Sequence, residues 1–398
     1  MSAKNIITSI EAFHHELARI RQDIHAHPEL GFEEVRTAAL VADHLTKMGC
    51  TVHRGIGKTG VVGVLEGRLN NSGRCVGLRA DMDALPIFER SAQPYVSTHP
   101  GVMHACGHDG HTTVLLGAAR YLAETRNFDG KVVLIFQPAE EGLGGARAMI
   151  DDGLFEKFPC DAVYALHNWP SLPPGVIGVN SGAMMAAADQ FEIHIEGRGG
   201  HGAHAYQTND PIVIAAQLIM AFQTIVSRNV PAPESAVVTV AAVNAGSLQA
   251  MNVIPADAYL VGTVRTFKDA VQKQVVQRME EIIAGIGAAF NARITMRYHR
   301  LFPATVNAIE HAAFVAEVAT ELFGPDQVVD NLAPSMGAED FSFMLQECPG
   351  AFFRLGQGGA ESGRVLHNAS FDFNDAIIPA GSAMFCRLVE RAMPLSYE

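Results

Sequence analysis

The pattern of apolar residues changes near residue 186, and this change divides the chain into parts with different predicted folds. Before this point, continuous apolar runs alternate with segments of helical pattern. The apolar runs span residues 61–65, 75–78, 132–136 and 162–166, and helical segments span 114–123 and 144–150. Continuous apolar strands between helices are typical of a sheet that is covered on both faces. The first part of the chain is therefore predicted to be α/β.

After residue 186 the pattern indicates a separate module. Residues 191–196, Phe-Glu-Ile-His-Ile-Glu, alternate strictly between apolar and polar, as a strand with one exposed face does. The segments that follow are a helix over 211–227, strands over 236–243 and 258–265, a helix over 270–290 and a strand over 293–299. The order β-α-β-β-α-β predicts a ferredoxin-like α+β module.

The α/β pattern returns beyond residue 303, with a helix over 311–322, so the module is predicted to be inserted into a larger domain. A chain of 398 residues also exceeds what a single core usually holds. We therefore predict a discontinuous α/β domain over residues 1–186 and 299–398, with an inserted module over residues 187–298.

Charge and hydropathy exclude several classes of partner. The net charge of −13 disfavours nucleic acid and anionic membranes, because both require basic patches. Residues 1–24 are predicted to form one amphipathic helix rather than a signal peptide, and no apolar run is long enough to span a membrane. Six cysteines without regular spacing do not indicate a disulfide framework. A cytoplasmic protein without nucleic-acid or membrane partners is expected.

A short run, Cys106-Gly-His-Asp-Gly-His111, preceded by His104, indicates a metal site. Cys106 and His108 are two residues apart, and in an extended segment alternate side chains share one face. Thiolate and imidazole are the usual ligands of Zn²⁺ and its neighbours. A loop of solvated histidines would account for the histidines but not for the spacing of the cysteine.

Further polar residues follow directly after predicted strands. They are Asp81 and Asp83, the pair Glu140-Glu141, and His167. In open α/β sheets, sites form at the carboxyl ends of strands. Any one of these acids could be a solvated turn residue, but three strand ends together with the cysteine run predict one site.

The adjacent pair Glu140-Glu141 points to hydrolysis. On an extended turn the two side chains are expected to diverge, so that one binds a metal and the other faces the substrate. A metal lowers the pKa of bound water from 15.7 to roughly 7. A carboxylate that then moves the proton contributes about a hundred- to ten-thousand-fold in rate.

Six segments, taken in order, resemble one family. They are 103–112 (MHACGHDGHT), 136–142 (FQPAEEG), 252–255 (NVIP), 336–341 (MGAEDF), 366–368 (LHN) and 371–375 (FDFND). They are similar to the hippurate hydrolase and auxin-conjugate hydrolase branch of the aminoacylase/carboxypeptidase metallopeptidase family, from about Arg21 to Pro379. The resemblance implies a zinc-peptidase-like catalytic domain, with a mixed sheet covered by helices, and an inserted dimerisation domain.

The resemblance also implies a ligand set for two divalent metal ions bridged by water. The implied ligands are Cys106, His108, Glu141, His167 and His367. Zn²⁺ or Mn²⁺ are the expected metals, with Ni²⁺ or Co²⁺ as alternatives, and Glu140 is the implied general base. The wider family carries a histidine ligand near Asp81, which Arg79-Ala80-Asp81 lacks, so Asp81 and Asp83 become supporting groups.

Three other polar residues of the cysteine run are also expected to support the ligands rather than to bind the metal. They are His104, Asp109 and His111.

Three residues of the inserted module are implied to act on the substrate. By resemblance His201 reaches the partner subunit's site and steadies the oxyanion. Asn252 is expected to face the developing oxyanion, and Arg265 to bind the substrate carboxylate, although a surface ion pair is an alternative for Arg265. The chain departs from the branch at Ala205-Tyr206, where a Pro-His pair is usual, and has an additional His204.

The predicted activity is metal-dependent hydrolysis of N-acyl-amino acids to a carboxylic acid and an amino acid by a homodimer, with a tetramer as an alternative. A dipeptidase or carboxypeptidase acting at the same site is a second hypothesis. A catalytically silent metal-binding protein is a third, against which the intact Glu140-Glu141 pair argues. An oxidoreductase is disfavoured, because no Gly-x-Gly-x-x-Gly follows a strand.

Overall fold

The computed structural model describes residues 3–395, which form two compact units. The first unit comprises residues up to 184, residues 305–334 and residues from 340 onward; the second comprises residues 185–304 and 335–339. The predicted insertion, 187–298, lies inside the second unit, which continues further because its last strand runs to Phe302. Residues 1, 2 and 396–398 of the predicted domain lie outside the described residues.

The helices and strands are numbered in chain order. The first segment contains α1 (Ala3–Glu11), α2 (His14–Ala26), α3 (Val35–Lys47), β1 (Thr51–Ile56), β2 (Gly60–Glu66), β3 (Cys75–Asp81), α4 (His108–Thr125), β4 (Lys131–Gln137), α5 (Gly145–Asp151), α6 (Leu154–Lys157), β5 (Ala162–Trp169), β6 (Ile177–Gly178) and β7 (Gly182–Met185). The module contains β8 (Ala187–Glu196), β9 (Gly200–His201), α7 (Pro211–Thr224), β10 (Ala236–Ala245), β11 (Val253–Ile254), β12 (Asp257–Thr266), α8 (Asp269–Phe290) and β13 (Arg293–Phe302). The final segment contains β14 (Thr305–Asn307), α9 (Ile309–Phe323), β15 (Val328–Val329), α10 (Phe341–Glu347), β16 (Gly350–Gly356) and α11 (Ile378–Ala392).

The first unit is built on an eight-stranded mixed sheet in the order β1-β2-β4-β3-β5-β16-β6-β15. Strands β4, β3, β5 and β16 run parallel, whereas β1, β2 and β4 pair antiparallel. The central strands are apolar throughout, and Leu78, Leu134 and Tyr164 are buried. Such strands require cover on both faces, and helices from the first and the final segment of the chain pack on them. The predicted α/β fold with a mixed sheet is confirmed.

The N-terminal segment is two helices, so the prediction of one continuous helix over residues 1–24 is wrong. Helix α1 ends at Glu11 and α2 begins at His14. Phe13 leaves the helical backbone region, with φ −118° and ψ 15°, and its ring is buried together with Ile10. The break therefore lets both apolar side chains enter the core.

The second unit is the predicted ferredoxin-like module. Its antiparallel sheet has the order β10-β12-β8-β13, in which Ile193 of β8 lies opposite Leu260 and Met296. One face of β8 is apolar, and its buried residues pack with those of α7 and α8 in a separate core. The strict alternation in the sequence is thus explained by one covered and one exposed face.

The expectation that no apolar run is long enough to span a membrane is wrong for helix α7. Together with the turn that follows it, it forms an apolar stretch, Pro211–Asn229, that by length and composition could cross a membrane. A third of this stretch is buried, including Ile214 and Leu218 in the core of the module. Met220, in contrast, is 67% exposed. The helix is therefore a core helix with additional apolar residues on its outer face.

Candidate metal centre

The predicted strand-end residues lie at one edge of the large sheet. Strands β4, β3 and β5 are parallel neighbours, and they end at Gln137, Asp81 and Trp169. Their carboxyl ends therefore meet, as the rule for open α/β sheets requires. Helix α4 begins at His108 beside this edge, and the loop after β4 carries Glu140 and Glu141.

The backbone at the cysteine run is not extended, contrary to expectation. Gly107 adopts φ 97°, a conformation that side-chain-bearing residues rarely take, and His108 is the first residue of α4. A Cβ at Gly107 would lie 2.5 Å from Oδ1 of Asn168. Glycine is therefore required both for the turn and for the close approach of β5, and the turn brings Cys106 and His108 to the same site.

Two of the groups of possible metal-binding atoms share one cysteine. One donor atom each of Cys106, His108 and His167 lie within 4.8 Å of one another. The same holds for Cys106, Glu141 and His367. All five implied ligands are thus brought together, and the shared thiol suggests two adjacent binding positions.

Asp83 fixes the orientation of two of these ligands. Its Oδ1 lies 3.1 Å from Nδ1 of His108, and its Oδ2 accepts the backbone N–H of Glu141 at 2.9 Å. Since Nδ1 is engaged, Nε2 of His108 faces the site. A carboxylate behind a histidine is a usual arrangement around a bound metal, because it fixes the tautomer and the ring. His167 is oriented similarly, by Nδ1–H donation to the backbone oxygen of Asn168 at 2.8 Å.

His367 enters the site from a distant part of the chain. Its backbone N–H donates to the oxygen of Ala105 at 2.8 Å, next to Cys106. The residue has φ 61°, and its Nε2 lies 3.3 Å from Oε1 of Glu141. The left-handed backbone and one hydrogen bond to a residue distant in sequence position the side chain. Neither feature produces a pattern in the local sequence.

The Glu140-Glu141 segment is a tight turn, so the expectation that the two side chains diverge on an extended turn is wrong. Ala139 has φ 52° and Gly142 φ 81°. One oxygen of each glutamate and one nitrogen of His108 lie within 4.8 Å of one another. Glu140 is 7% exposed. Both carboxylates therefore face the same small volume.

Glu34 holds this turn and was missed by the sequence analysis. Its buried carboxylate accepts the backbone N–H of Ala139 through Oε1 at 2.8 Å and the hydroxyl of Thr59 through Oε2 at 2.5 Å. Burial raises the pKa of Glu34. A left-handed alanine costs free energy that such a hydrogen bond helps to offset. Only its position in a Gly-Phe-Glu-Glu turn could have drawn attention to it.

A second group that was not predicted from the sequence is Arg79, which contacts Asp81. Arg79 is fully buried and donates to Asp81 Oδ2 at 2.8 Å, to Gln137 Oε1 at 2.8 Å and to Asp340 Oδ1 at 3.1 Å. Asp81 also contacts His111 Nδ1 at 2.6 Å. Although burial opposes ionisation, the charges of His108, His111 and Arg79 hold the pKa of Asp81 well below its usual range.

Asp109 joins a third buried network on the other side of α4. Its Oδ2 lies 2.8 Å from Nδ1 of His25, whose Nε2 lies 3.2 Å from Glu89. Burial alone would lower the pKa of His25, but its hydrogen bonds to both carboxylates raise it to about 9. Arg21, fully buried, pairs with Asp375 at 2.6 Å. The predicted supporting role of Asp109 thus involves helix α2, which the sequence did not indicate.

The hydrogen bonding and charge of the implied ligand atoms are those expected around a bound cation. His108 Nε2 is buried 3.9 Å from Glu141 Oε1 and has no hydrogen-bond partner within residues 3–395. Burial and the nearby glutamates raise the pKa of the Cys106 thiol well above its usual range, and burial lowers that of His167. A divalent cation offsets the cost of ionising the Cys106 thiol, because it supplies positive charge, and the neutral His167 ring is already the form that donates to a metal.

In the module, His201 and Asn252 are neighbours. Strands β9 and β11 pair His201 with Val253, and Gly202 N–H donates to the backbone oxygen of Asn252 at 2.7 Å. Nδ1 of His201 accepts the N–H of Ala203 at 3.1 Å. The neutral ring therefore carries its proton on Nε2, which leaves an N–H donor on an exposed side chain.

Arg265 lies near the end of β12 and is half-buried. Its Nη1 contacts Oγ1 of Thr263 and lies 3.2 Å from the oxygen of Val264. No carboxylate of the described residues forms an ion pair with it, and burial lowers its pKa despite the charge of Asp189. The surface ion pair considered as an alternative is thus not found in the described part of the chain.

The segment that departs from the family pattern is a short 3₁₀ turn, Gly202–Gln207. His204 has a non-helical backbone there, and Tyr206 is 80% exposed. The His204 ring is tilted by 53° from that of His201, with the ring centroids 5.2 Å apart. The additional histidine therefore lies directly beside the predicted oxyanion donor.

Comparisons with known proteins agree with this geometry. Residues 77–391 match the model of peptidase family M20/M25/M40. The chain is 46% identical to the hippurate hydrolase of Campylobacter jejuni, over 96% of this chain and 98% of that protein. It is 40% identical to the N-acetyl-L-cysteine deacetylase of Bacillus subtilis, over 96% and 89% of the two chains. Among solved structures, the B. subtilis YXEP protein, described as a dinuclear metal binding peptidase, matches with a TM-score of 0.83 and 34% identity, over 96% and 99%.

Proposed function

The chain belongs to peptidase family M20/M25/M40, and we propose that it is a two-metal amidohydrolase that cleaves N-acyl-amino acids into a carboxylic acid and an amino acid. One observation carries the proposal: two groups of donor atoms share Cys106, and the Glu140 carboxylate lies beside them. The names of two relatives, a hippurate hydrolase and an N-acetyl-L-cysteine deacetylase, support N-acyl-amino acids as the substrate class.

We assign the metal ligands as the five residues whose donor atoms converge. They are Cys106, His108, Glu141, His167 and His367. Zn²⁺ or Mn²⁺ suit this mixed sulfur, nitrogen and oxygen set, with Ni²⁺ or Co²⁺ as alternatives. When bound, the pair of ions would polarise the scissile carbonyl and lower the pKa of water.

Glu140 supplies the proton transfers in this proposal. Its carboxylate accepts a proton from the attacking water and returns it to the nitrogen of the leaving amino acid. A base that is fixed within hydrogen-bond reach contributes about a hundred- to ten-thousand-fold. The turn held by Glu34 keeps the Glu140 side chain within 4.8 Å of Glu141 and His108, so that the base and the ligands share one small volume.

We further propose that the protein is a homodimer formed through the module, in which His201 donates Nε2–H to the oxyanion of the partner subunit's substrate. Strand β10 is an edge strand in which half of the residues are exposed and none is buried. Beside it, Leu248 is 92% and Met251 96% exposed. Exposed apolar residues along a sheet edge favour pairing with a second copy.

Mixing two inactive variants tests this assignment. His201→Ala should lose about 3 kcal/mol of transition-state stabilisation, as expected for one oxyanion donor. Glu140→Gln should be inactive for a different reason. If His201 acts across the interface, subunit exchange between the two variants should restore part of the turnover, measured against each variant alone. No recovery after proven exchange would mean that His201 serves its own subunit or has no such role.

Arg265 is proposed to bind the substrate carboxylate. A guanidinium forms two parallel hydrogen bonds to a carboxylate, which an ammonium cannot do. Arg265→Lys is therefore expected to raise KM sharply for N-acyl-amino acids and much less for the matching N-acyl-amino-acid amides, as measured by steady-state kinetics on both series. Equal effects on acids and amides would contradict this role and favour the peptidase hypothesis.

Asn252→Ala is the matched control for that measurement. If its amide faces the oxyanion, the substitution should lower kcat on acids and amides alike, without a selective effect on KM. The two variants thus separate recognition of the carboxylate from stabilisation of the transition state.

The activity as a whole is tested by a substrate panel. Purified protein loaded with Zn²⁺, Mn²⁺, Ni²⁺ or Co²⁺ should hydrolyse N-acyl-amino acids faster than dipeptides. Preference for dipeptides would favour the peptidase hypothesis, and turnover of neither by metal-loaded protein would favour a silent metal-binding protein. A cytoplasmic location is also proposed, because all six cysteines are free thiols and a thiolate ligand suits a reducing compartment.

A further inference from the structure

Three cysteines lie at the edge of the large sheet opposite to the metal centre. Cys75 begins β3, Cys160 precedes β5 and Cys348 precedes β16, and these three strands are adjacent. The metal centre lies at the carboxyl ends of β3 and β5, so this cluster is separated from it by the full length of the strands. The proposed reaction does not use these thiols.

Cys75 and Cys160 are in direct contact. Their Sγ atoms are 3.9 Å apart. Asp161 holds the two segments together, because its N–H donates to the oxygen of Cys75 and its Oδ2 accepts the N–H of Cys75, both at 2.8 Å. A Cβ at Gly77 would lie 3.2 Å from Cys160 Sγ, so the glycine leaves the space that this sulfur occupies.

The backbone spacing permits a bond between the two sulfurs. Cys75 lies beside Asp161, which directly precedes β5, and Cys160 is one residue further back. With strands about 4.8 Å apart and a rise of about 3.3 Å per residue, the diagonal Cα–Cα distance is roughly 6 Å. Disulfides span Cα–Cα distances of about 4.4 to 6.8 Å. Rotation about the side-chain bonds is then sufficient to bring the sulfurs together.

The surroundings distinguish the two thiols. The contact with Cys160 lowers the pKa of Cys75, burial and the charge of Asp161 oppose this, and Lys131, opposite Cys75 on β4, favours the thiolate. The Cys160 thiol also donates to the backbone oxygen of Phe158 at 3.4 Å, a contact that favours its protonated form. The contact with Cys75 and burial raise the pKa of Cys160. Because the thiolate is the nucleophile, Cys75 is the more reactive partner. Both residues are only partly buried, so a small oxidant can reach them.

We propose that Cys75 and Cys160 are a redox-active pair that forms a reversible disulfide when the protein meets hydrogen peroxide. The Cys75 thiolate attacks one peroxide oxygen, the O–O bond breaks, and the products are Cys75 sulfenic acid and, after protonation of the released hydroxide, water. The Cys160 thiol then attacks the sulfenic sulfur, the S–O bond breaks, and a second water leaves with the Cys160 proton. Two thiols are oxidised by two electrons and one peroxide is reduced to two waters.

Cys348 is not the partner, although it lies nearby. It is buried, and its thiol contacts the backbone oxygen of Cys160 at 3.3 Å rather than the sulfur. A bond between Cys75 and Cys160 would join β3 to the segment before β5 and close a long loop of the chain. Cross-links of long loops restrict the unfolded chain, so the oxidised form should be more stable. Turnover should change little, since the bond is remote from the ligands.

Peptide mapping of the full-length, metal-loaded protein tests the pair. After treatment with hydrogen peroxide, non-reduced digests should contain one cross-linked peptide that joins Cys75 to Cys160, and it should disappear with a thiol reductant. Thermal unfolding should show a higher Tm after oxidation, reversed by the reductant. The readouts are the covalent map and Tm, so they are independent of whether the proposed hydrolysis is correct.

Three serine variants sharpen the test. Cys160→Ser should accumulate Cys75 sulfenic acid, trapped by a dimedone probe, whereas Cys75→Ser should leave Cys160 unoxidised at the same peroxide dose. Cys348→Ser is the matched control and should keep the cross-link. Two free, alkylatable thiols after oxidation of the wild type, or a bond from Cys160 to Cys348, would overturn the proposal. So would a cross-link in wild type that survives in Cys75→Ser.

Discussion

Replacing Glu140 by glutamine is expected to lower kcat at least a hundredfold while both metal ions stay bound. The amide has almost the same size as the carboxylate but cannot accept the proton of the attacking water. Loss of a general base typically costs a hundred- to ten-thousand-fold. Glu140 lies at the ligand cluster, in a turn that the hydrogen bond from Ala139 to Glu34 holds independently of the Glu140 side chain. The substitution should therefore leave the backbone in place.

Two measurements on the same preparation decide this prediction. Metal content by elemental analysis should match the wild type, and steady-state kinetics should show the loss in kcat. Glu141→Gln is the contrasting variant, because one of its carboxylate oxygens lies in the group with Cys106 and His367, and it should lose metal as well as activity. A Glu140→Gln enzyme that keeps its metals and works within a few-fold of wild type would show that the base has been misassigned.

The parts of the site that could be predicted are those encoded by neighbouring residues. Polar residues that directly follow apolar strands must lie at one sheet edge, so Asp81, Glu141 and His167 could be brought together from the sequence. The two-residue spacing of Cys106 and His108 predicted that the two side chains share one site, but for the wrong local reason. The pair meets through a left-handed turn at Gly107, where Asn168 leaves no room for a side chain.

The parts that could not be predicted depend on contacts between distant residues. His367 reaches the site through a hydrogen bond to Ala105 and a left-handed backbone, and only the family resemblance indicated it. Glu34 acts on Ala139 across more than a hundred residues of sequence, and Arg21 acts on Asp375 across the length of the chain. An acid in a turn or an arginine in a helix has no local pattern that separates such a role from solvation.

In the fold, too, the features encoded by neighbouring residues could be predicted, and those that depend on distant contacts could not. The alternation in residues 191–196 and the order of elements were sufficient for the ferredoxin-like module, because period and order are local properties. The break between α1 and α2 was not predicted, since it depends on where the folded core has space for the buried Phe13 side chain. The sequence of α7 likewise does not show which of its apolar residues are buried in the core of the module and which are exposed.

Removing the metal ions is expected to abolish turnover and to lower Tm by several degrees. The site packs His108, His167, the Cys106 thiol and several carboxylates into a largely buried volume, where His108 Nε2 has no hydrogen-bond partner within residues 3–395. A buried polar atom without a partner costs about 1–3 kcal/mol. A cation that binds only the folded chain adds about 2.7 kcal/mol when its free concentration is a hundred times Kd. Both effects are lost together on chelation.

The test is exhaustive dialysis against a chelator, followed by elemental analysis, activity and thermal unfolding, and then by addition of Zn²⁺, Mn²⁺, Ni²⁺ or Co²⁺ one at a time. The native protein should contain more than one equivalent of metal per chain, and the right ion should restore activity and Tm in parallel. Cys106→Ser is informative here, because the two groups of donors share that thiol, so one substitution should weaken both positions. Full activity in metal-free protein would exclude the site as catalytic. A variant that loses only one equivalent and keeps the other intact would show that Cys106 does not bridge the two positions.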